Sequence, residues 1–299
     1  MEWIKNTSIA ASLVCLGGLL VHTTYDNKHE AYTEIKTEKK NYFPTQIDFA
    51  GEKTPLNVSD VRERLDRELL VNANLDASTL LIIKRANRVF PVIEPILKQY
   101  GIPDDFKYLA VCESGLVNVV SPAGARGYWQ FMPDTGKQYG LEVTDLVDER
   151  YHLAKSTEAA CKYLLAAKSK FGSWTLAAAS YNAGVGGVNK QITFQGVESY
   201  YDLLLNDETS RYVFRILAFK EIMQHPAQYG FTATPAELYA QIPVKKVAVT
   251  TTLPDLSAFA KEQGINYKIL KIHNPWLRDR SLTVAAGKQY EVEIPLSGY

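Results

Sequence analysis

The 299-residue chain reads as a mainly α protein, a helical body followed by a small β-α-α-β unit. Three observations point there. Apolar residues recur at helical spacing from Val61 to about residue 225, glycines or a proline stand where those runs end, and the last fifty residues alternate like strands at two places. With 46% hydrophobic and 22% charged residues, the chain can bury one sizeable core and still supply a smaller module.

At the start, Lys5 precedes an apolar run from Ile9 to Val21, and polar sequence follows at once, the layout of a secretory signal. The run is shorter than the roughly 20 residues of a comfortable membrane span, yet Val21-His22-Thr23 is a poor small-x-small cleavage site. Residues 1–25 are therefore expected to be a signal peptide or a membrane anchor. Cys15 invites a lipoprotein reading, but Ser12, Leu13 and Val14 offer neither the usual Leu at the third position before the cysteine nor a small residue just before it. Residues 26–60 carry the charge run Glu34 to Lys40 and two prolines, Pro44 and Pro55, and read as a polar linker or extended arm.

The helical body is expected over 61–240. Its first helix is carried by Leu65, Leu69 and Leu70, and its second by Leu80, Ile83, Asn87 and Phe90, with Asp76 or Ser78 as cap. Pro91 and Pro95 are expected to break that stretch. The next helix should start at Pro103, where Asp104 and Asp105 complement its positive end, and stop near Gly115. Further helices are predicted over Thr157 to Phe171, Thr175 to Asn182 and Thr209 to His225, stopped at Gly172, at Gly184 and before Pro226. In the terminal unit, 246–299, Val247 to Thr252 and Tyr290 to Ile294 read as strands, and Leu256 to Gln263 and Tyr267 to His273 as short helices.

Composition and motifs remove several functions. Lys plus Arg and Asp plus Glu are both 33, so no basic excess draws the chain to nucleic acid. The cysteines at 15, 112 and 161 form no CxxC pair, and the five histidines fall into no ligand or triad spacing, so neither a metal nor a cofactor is expected. Cys112 and Cys161 could pair in an oxidising compartment or remain two buried thiols. Gly184-Val-Gly-Gly-Val follows a helix rather than a strand, which speaks against a phosphate loop.

Chemistry concentrates around Glu113, at the end of a predicted helix in Tyr108-Leu-Ala-Val-Cys-Glu-Ser-Gly115. The negative end of the helix dipole and the apolar approach both penalise its ionised form, so its pKa should be raised. Such an acid can protonate the leaving oxygen of a glycosidic bond. The loop Ser121 to Pro133 holds Gly124 and Gly127, where the backbone can turn. It also holds Tyr128, Trp129 and Phe131, whose flat faces could pack on sugar rings or fill the core, and the amide of Gln130. Ser180-Tyr-Asn-Ala-Gly184 puts Tyr181 and Asn182 at a helix end, where they could project into a groove.

In order and spacing, Glu113-Ser114, Gly127-Tyr-Trp-Gln130, Tyr181-Asn-Ala-Gly184 and Tyr212 within Glu208-Thr-Ser-Arg-Tyr-Val213 resemble the four motifs of the goose-lysozyme-like lytic transglycosylases. The resemblance covers roughly residues 60 to 225. It implies a lysozyme-like helical catalytic domain that acts on the glycan strands of peptidoglycan in the cell envelope or periplasm. It also implies Glu113 as acid and then base, Ser114 fixing the substrate or the acid, and Gln130, Tyr181 and Asn182 lining the sugar groove. Tyr212 would hydrogen-bond near the carboxylate. Tyr128 and Trp129 stand where Leu-Met is usual, which bears on substrate preference and not on the reaction.

No motif supplies a second carboxylate in an obvious catalytic position, and Asp134 reads as the start of a helix after Pro133. By the same resemblance, the N-acetyl group of N-acetylmuramic acid would assist departure, and the product would be a 1,6-anhydro sugar. Hydrolysis of the same bond and non-catalytic wall binding are the rival readings. The unit from Val247 to Pro295 resembles a LysM module, which implies binding to N-acetylglucosamine-containing glycans. Its usual Gly-Asp-Thr-Leu opening is replaced by Leu253-Pro-Asp-Leu256.

Overall fold

A computed structural model describes residues 42–297, all within one compact unit, Glu38–Tyr299. The N-terminal segment expected to serve as signal or anchor lies outside the described residues. Among the described residues no helix is long and apolar enough to cross a membrane.

The mainly α expectation holds, with ten α-helices and two small two-stranded sheets among the described residues. The body comprises α1 (Ser59–Asn74), α2 (Asp76–Gln99), α3 (Lys107–Ser114), α4 (Pro133–Gln138), α5 (Leu153–Phe171), α6 (Trp174–Ala183), α7 (Val185–Gln195) and α8 (Asp207–Gln224). At its centre lies α8, buried on nearly every side through Tyr212, Phe214, Ile216, Leu217 and Ile222, and packed against α1, α3 and α6. Ala177, Ala178 and Ala179 are fully buried in α6, and their small side chains let neighbouring helices approach closely.

The prolines do not break α2, which runs unbroken from Asp76 to Gln99. Pro91 and Pro95 stand one turn apart on the exposed side, while Ile82, Ala86, Val89, Ile93 and Leu97 are buried on the other. An interior proline costs about 3 kcal/mol, and burying each of the larger side chains returns a comparable amount, ~1.5–3 kcal/mol. α7 is a helix the sequence reading did not contain. Gly186 and Gly187 lower its helical propensity, and Val188 is its only buried residue, so it carries almost no apolar stripe.

Part of the expected arm is folded onto the body. β1 (Asp48–Phe49) and β2 (Glu52–Lys53) form a hairpin turned by Ala50 and Gly51, both at positive φ. Phe49 is fully buried, with its ring 4.9 Å from that of Phe106. Lys220 on α8 reaches the carbonyl of Asp48 and the carboxylate of Asp105, each at 2.8 Å.

In the terminal unit, β3 (Val244–Val249) pairs antiparallel with β4 (Tyr290–Pro295), with α9 (Leu256–Glu262) and α10 (Tyr267–His273) between them. β3 starts and ends earlier than its alternation suggested. Its last partner is Tyr290, opposite Val249, so Thr250 to Thr252 have no strand to pair with. The side chain of fully buried Asn274 bonds the carbonyl of Leu270 and both backbone groups of Glu293, tying α10 to the sheet.

This unit is joined to the body by backbone. Val147 and Leu277 form an antiparallel bridge, Asp148 N–H donates to the Trp276 carbonyl (2.9 Å), and Arg278 N–H donates to the Leu146 carbonyl (2.8 Å). The Arg278 guanidinium lies over the Tyr151 ring at 4.2 Å. The Tyr290 hydroxyl and Lys288 both reach Glu142.

Candidate active site

α3 ends at Gly115, in the left-handed conformation (φ 58), whose N–H closes the last turn on the Val111 carbonyl (2.8 Å). Arg85 holds the Gly115 carbonyl at 3.1 Å. Glu113 therefore sits in the final turn, facing α8, where its Oε1 accepts a hydrogen bond from the Tyr212 hydroxyl. Burial, reinforced by the charge of Glu208, pushes its carboxyl up from an ordinary value near 4.5 to about 7. The Tyr212 hydrogen bond and Arg215 act in the opposite direction but do not cancel the effect.

The other residues singled out by sequence spend their polar groups on holding this frame. Ser114 Oγ lies 2.8 Å from the Tyr128 carbonyl and 3.1 Å from that of Ala110. The Tyr181 hydroxyl donates to the Trp129 carbonyl at 2.8 Å. Gln130 is itself at positive φ (49), and its amide donates to the carbonyls of Gly127 (2.8 Å) and Val119 (3.1 Å). Asn182 links α6 to the start of α8, donating to Glu208 (3.0 Å) and accepting from the Thr209 hydroxyl (2.7 Å). Glu113, Tyr212, Tyr181 and Asn182 are thus brought to one junction of α3, α6 and α8, while Ser114 and Gln130 hold the 121–131 loop against it.

Of the two roles left open for the loop aromatics, Trp129 and Phe131 take the core-filling one. Trp129 is 0% exposed, with its indole N–H donated to Thr157 at 2.9 Å, and Phe131 is buried against Tyr181. Only Tyr128 keeps partial exposure. Gly127 is required by contact as well as by φ (84), since a Cβ there would lie 1.8 Å from the Arg150 carbonyl oxygen.

Sequence reasoning missed the clamp beneath the loop. Asp148 and Arg150, 1% and 2% exposed, form a two-pronged ion pair at 2.8 and 2.9 Å. Arg126 adds a contact to Asp148 at 3.2 Å. A third nitrogen of Arg150 donates to the Gly124 and Phe131 carbonyls, each at 3.1 Å. A charged triplet, Asp148-Glu149-Arg150, just ahead of a helix was the available signal, but it has the look of a solvated turn. Glu52 on the hairpin was missed too. Its carboxylate accepts from the N–H groups of Trp174 (2.6 Å) and Thr175 (2.9 Å) at the start of α6. Burial works to raise its pKa, but these bonds and those from the Ser173 and Thr175 hydroxyls leave it lowered overall. Cys112 and Cys161 are free thiols.

Comparisons with known proteins fit this geometry. A model of the transglycosylase SLT domain matches residues 91–203, and a model of the soluble lytic transglycosylase C-terminal LysM-like domain matches residues 245–298. Glu113, Ser114, Gln130, Tyr181 and Asn182 lie inside the first match, and Tyr212 lies beyond its end. The chain is 28% identical over 259 residues to membrane-bound lytic murein transglycosylase D of Escherichia coli strain K12, and equally so to the same protein of Escherichia coli O6:H1. These alignments cover 83% of this chain and 55% of each relative, so the chain spans about half the length of the curated relatives it matches. An inactive mutant of lytic transglycosylase Slt from Pseudomonas aeruginosa aligns at 21% identity and a TM-score of 0.36, over 50% of this chain and 26% of that one. The chain is thus similar, in this order along its length, to a transglycosylase SLT domain and to a soluble lytic transglycosylase C-terminal LysM-like domain.

Proposed function

We propose that the chain is a peptidoglycan lytic transglycosylase that cleaves the β-1,4 bond between N-acetylmuramic acid and N-acetylglucosamine, leaving 1,6-anhydro-N-acetylmuramic acid ends. The observation that carries this reading is a half-buried carboxyl, Glu113, with a pKa near 7 and one phenolic donor on it. A group poised there can give a proton and take one back at neutral pH. Protonated Glu113 delivers its proton to the glycosidic oxygen as the bond to C1 breaks, and the neighbouring N-acetyl group shares the charge that develops. The Glu113 carboxylate, steadied by Tyr212, then removes the proton of the 6-hydroxyl as that oxygen attacks C1, which returns Glu113 to its starting state.

One feature supports the non-hydrolytic outcome. Glu208, the nearest other carboxylate that Glu113 senses, stands in the first turn of α8 with an oxygen engaged by the Asn182 amide, so it is tied into the frame rather than free to activate a water. Tyr181 and Asn182 are proposed to meet the sugars at the edge of the site, with Ser114 and Gln130 fixing the loop that borders it. The relatives are named as membrane-bound murein enzymes, which supports action in the cell envelope on glycan strands, and the LysM-like module is proposed to hold the same polymer. The test is digestion of purified peptidoglycan by the chain and by Glu113→Gln, with mass spectrometry of the released muropeptides. Anhydro ends that vanish in the variant are expected. Reducing ends would make the protein a lysozyme-like hydrolase, and no release by either would leave a wall-binding protein.

A further inference from the structure

A cleft of about 780 Å³ lies between the body and the terminal unit, apart from the Glu113 carboxyl. Pockets of this size hold ligands as large as a disaccharide or a short peptide. Arg85 and Arg88 of α2 and Tyr128 of the loop line one side, and His152, Trp276 and Glu293 line the other. Arg85 binds the Gly115 carbonyl and Arg88 lies over the Tyr239 ring at 5.3 Å, and neither forms an ion pair with a carboxylate among the described residues. Both guanidinium groups act electrostatically on the Tyr128 phenol, so their charge is directed into the cleft.

Nothing else in the lining offsets that charge fully. Burial, then Lys155 and Lys246, hold His152 down to about 4, and burial, then Arg88, lower His273, so both rings are neutral near pH 7. Glu293 is the single acidic residue of the lining, and burial disfavours its ionised form. The cleft is therefore net positive, with the rings of His152 and Trp276 side by side on one wall, 6.1 Å apart. It is also continuous in sequence with the candidate active site. Leu116 to Asn118 line it directly after the Glu113 helix, and the Tyr128 carbonyl is the one that faces Ser114.

We propose that this cleft is a second ligand site, which takes the carboxylate-bearing peptide branches of the glycan whose strand is cleaved at Glu113. The proposal rests on the transglycosylase reading for the identity of its ligand. Arg88 and Arg85 form the carboxylate-binding wall and the aromatic side receives the apolar part of the branch. Substrate carrying peptide is then held at two places on one rigid frame, because the backbone bridge between Val147 and Leu277 joins the two walls.

The test uses the full chain with Glu113→Gln, so that nothing is turned over. Calorimetric titration with N-acetylglucosaminyl-N-acetylmuramyl tripeptide is compared with titration by uncharged chitobiose, before and after adding Arg88→Glu, which changes an exposed side chain. The muropeptide is expected to bind at least roughly tenfold tighter than chitobiose, with an affinity that falls as salt rises, and Arg88→Glu is expected to abolish the difference. Equal affinity for the two ligands, or muropeptide binding unchanged by Arg88→Glu, overturns the proposal. Digestion of peptidoglycan by the chain with Glu113 intact separates the two claims. Anhydro ends without an Arg88-dependent preference sink the cleft alone, whereas that preference without anhydro ends sinks the transglycosylase reading alone.

Discussion

Replacing Glu113 by Gln should make the protein more stable at neutral pH, by an amount that depends on pH in a defined way. The carboxyl has a folded-state pKa near 7 against about 4.5 when unfolded, with burial as the main cause. A raised folded pKa means that the native state binds its proton more tightly, so the stabilising contribution is complete below about pH 4.5 and is lost as pH rises through 7. At 1.36 kcal/mol per unit, a fully desolvated site would lose about 3 kcal/mol by pH 8. Because Glu113 keeps partial contact with solvent, roughly 1–3 kcal/mol is the range to expect. Gln removes the ionisable group while keeping an acceptor for Tyr212, so it should escape that loss. For a body of this size the gap corresponds to about 3–10 °C in Tm. Thermal unfolding of both proteins from pH 4 to 8.5 should give curves that converge near pH 4, diverge between about pH 4.5 and 7 and stay apart by a constant gap above that, with the Gln variant higher. A pH-independent gap, or a Gln variant that is less stable throughout, would refute the electrostatic account of the site.

Four further outcomes follow from the same contacts. If protonated Glu113 is the acid, kcat/KM on peptidoglycan should fall as pH rises through about 7, and Tyr212→Phe, which removes a bond that lowers the Glu113 pKa, should move that limb to higher pH; pH–rate profiles of the two proteins check this. Gly127→Ala places a methyl 1.8 Å from the Arg150 carbonyl oxygen and should abolish the folded loop, whereas Gly124→Ala, at φ 89 with open space around it, should cost only about 1–2 kcal/mol of strain, as denaturant titration would show. Asp148→Ala strands two buried or half-buried guanidinium groups and should destabilise by about 3–5 kcal/mol with loss of activity, measured by unfolding and by peptidoglycan digestion. Glu52→Gln weakens the anchor at the start of α6 and should cost about 1 kcal/mol near pH 7. Because the folded pKa of Glu52 is lowered, this loss should be present above the ordinary carboxylate range and disappear as pH falls through the depressed value, which unfolding at several pH values reads out.

Local punctuation made much of the body legible in the sequence. Gly115 and Gly172 end their helices in the left-handed conformation, and the bounds of α10 coincide with the predicted stretch from Tyr267 to His273. The candidate site was legible as four short motifs, and its central contact, Tyr212 on Glu113, joins residues 99 positions apart. What stayed hidden depends on tertiary context. α2 survives two prolines because its buried face outweighs them, and α7 forms despite two glycines and almost no apolar stripe. Trp129 reads equally as a sugar platform or a core residue until its indole is seen bonded to Thr157 in the core. Asp148 and Arg150 looked like a solvated turn because no periodic signal marks a buried ion pair that grips loop carbonyls. The bridge from Val147 to Leu277 joins segments far apart in sequence, so the two modules read as separable when they are joined.

The central claim is that Glu113 directs the muramyl 6-hydroxyl, and not water, at C1. Digestion of peptidoglycan in water enriched in oxygen-18, followed by mass spectrometry of the newly formed ends, tests it most directly. The account predicts anhydro ends carrying no label from solvent, and ends that carry one oxygen-18 at C1 would contradict it.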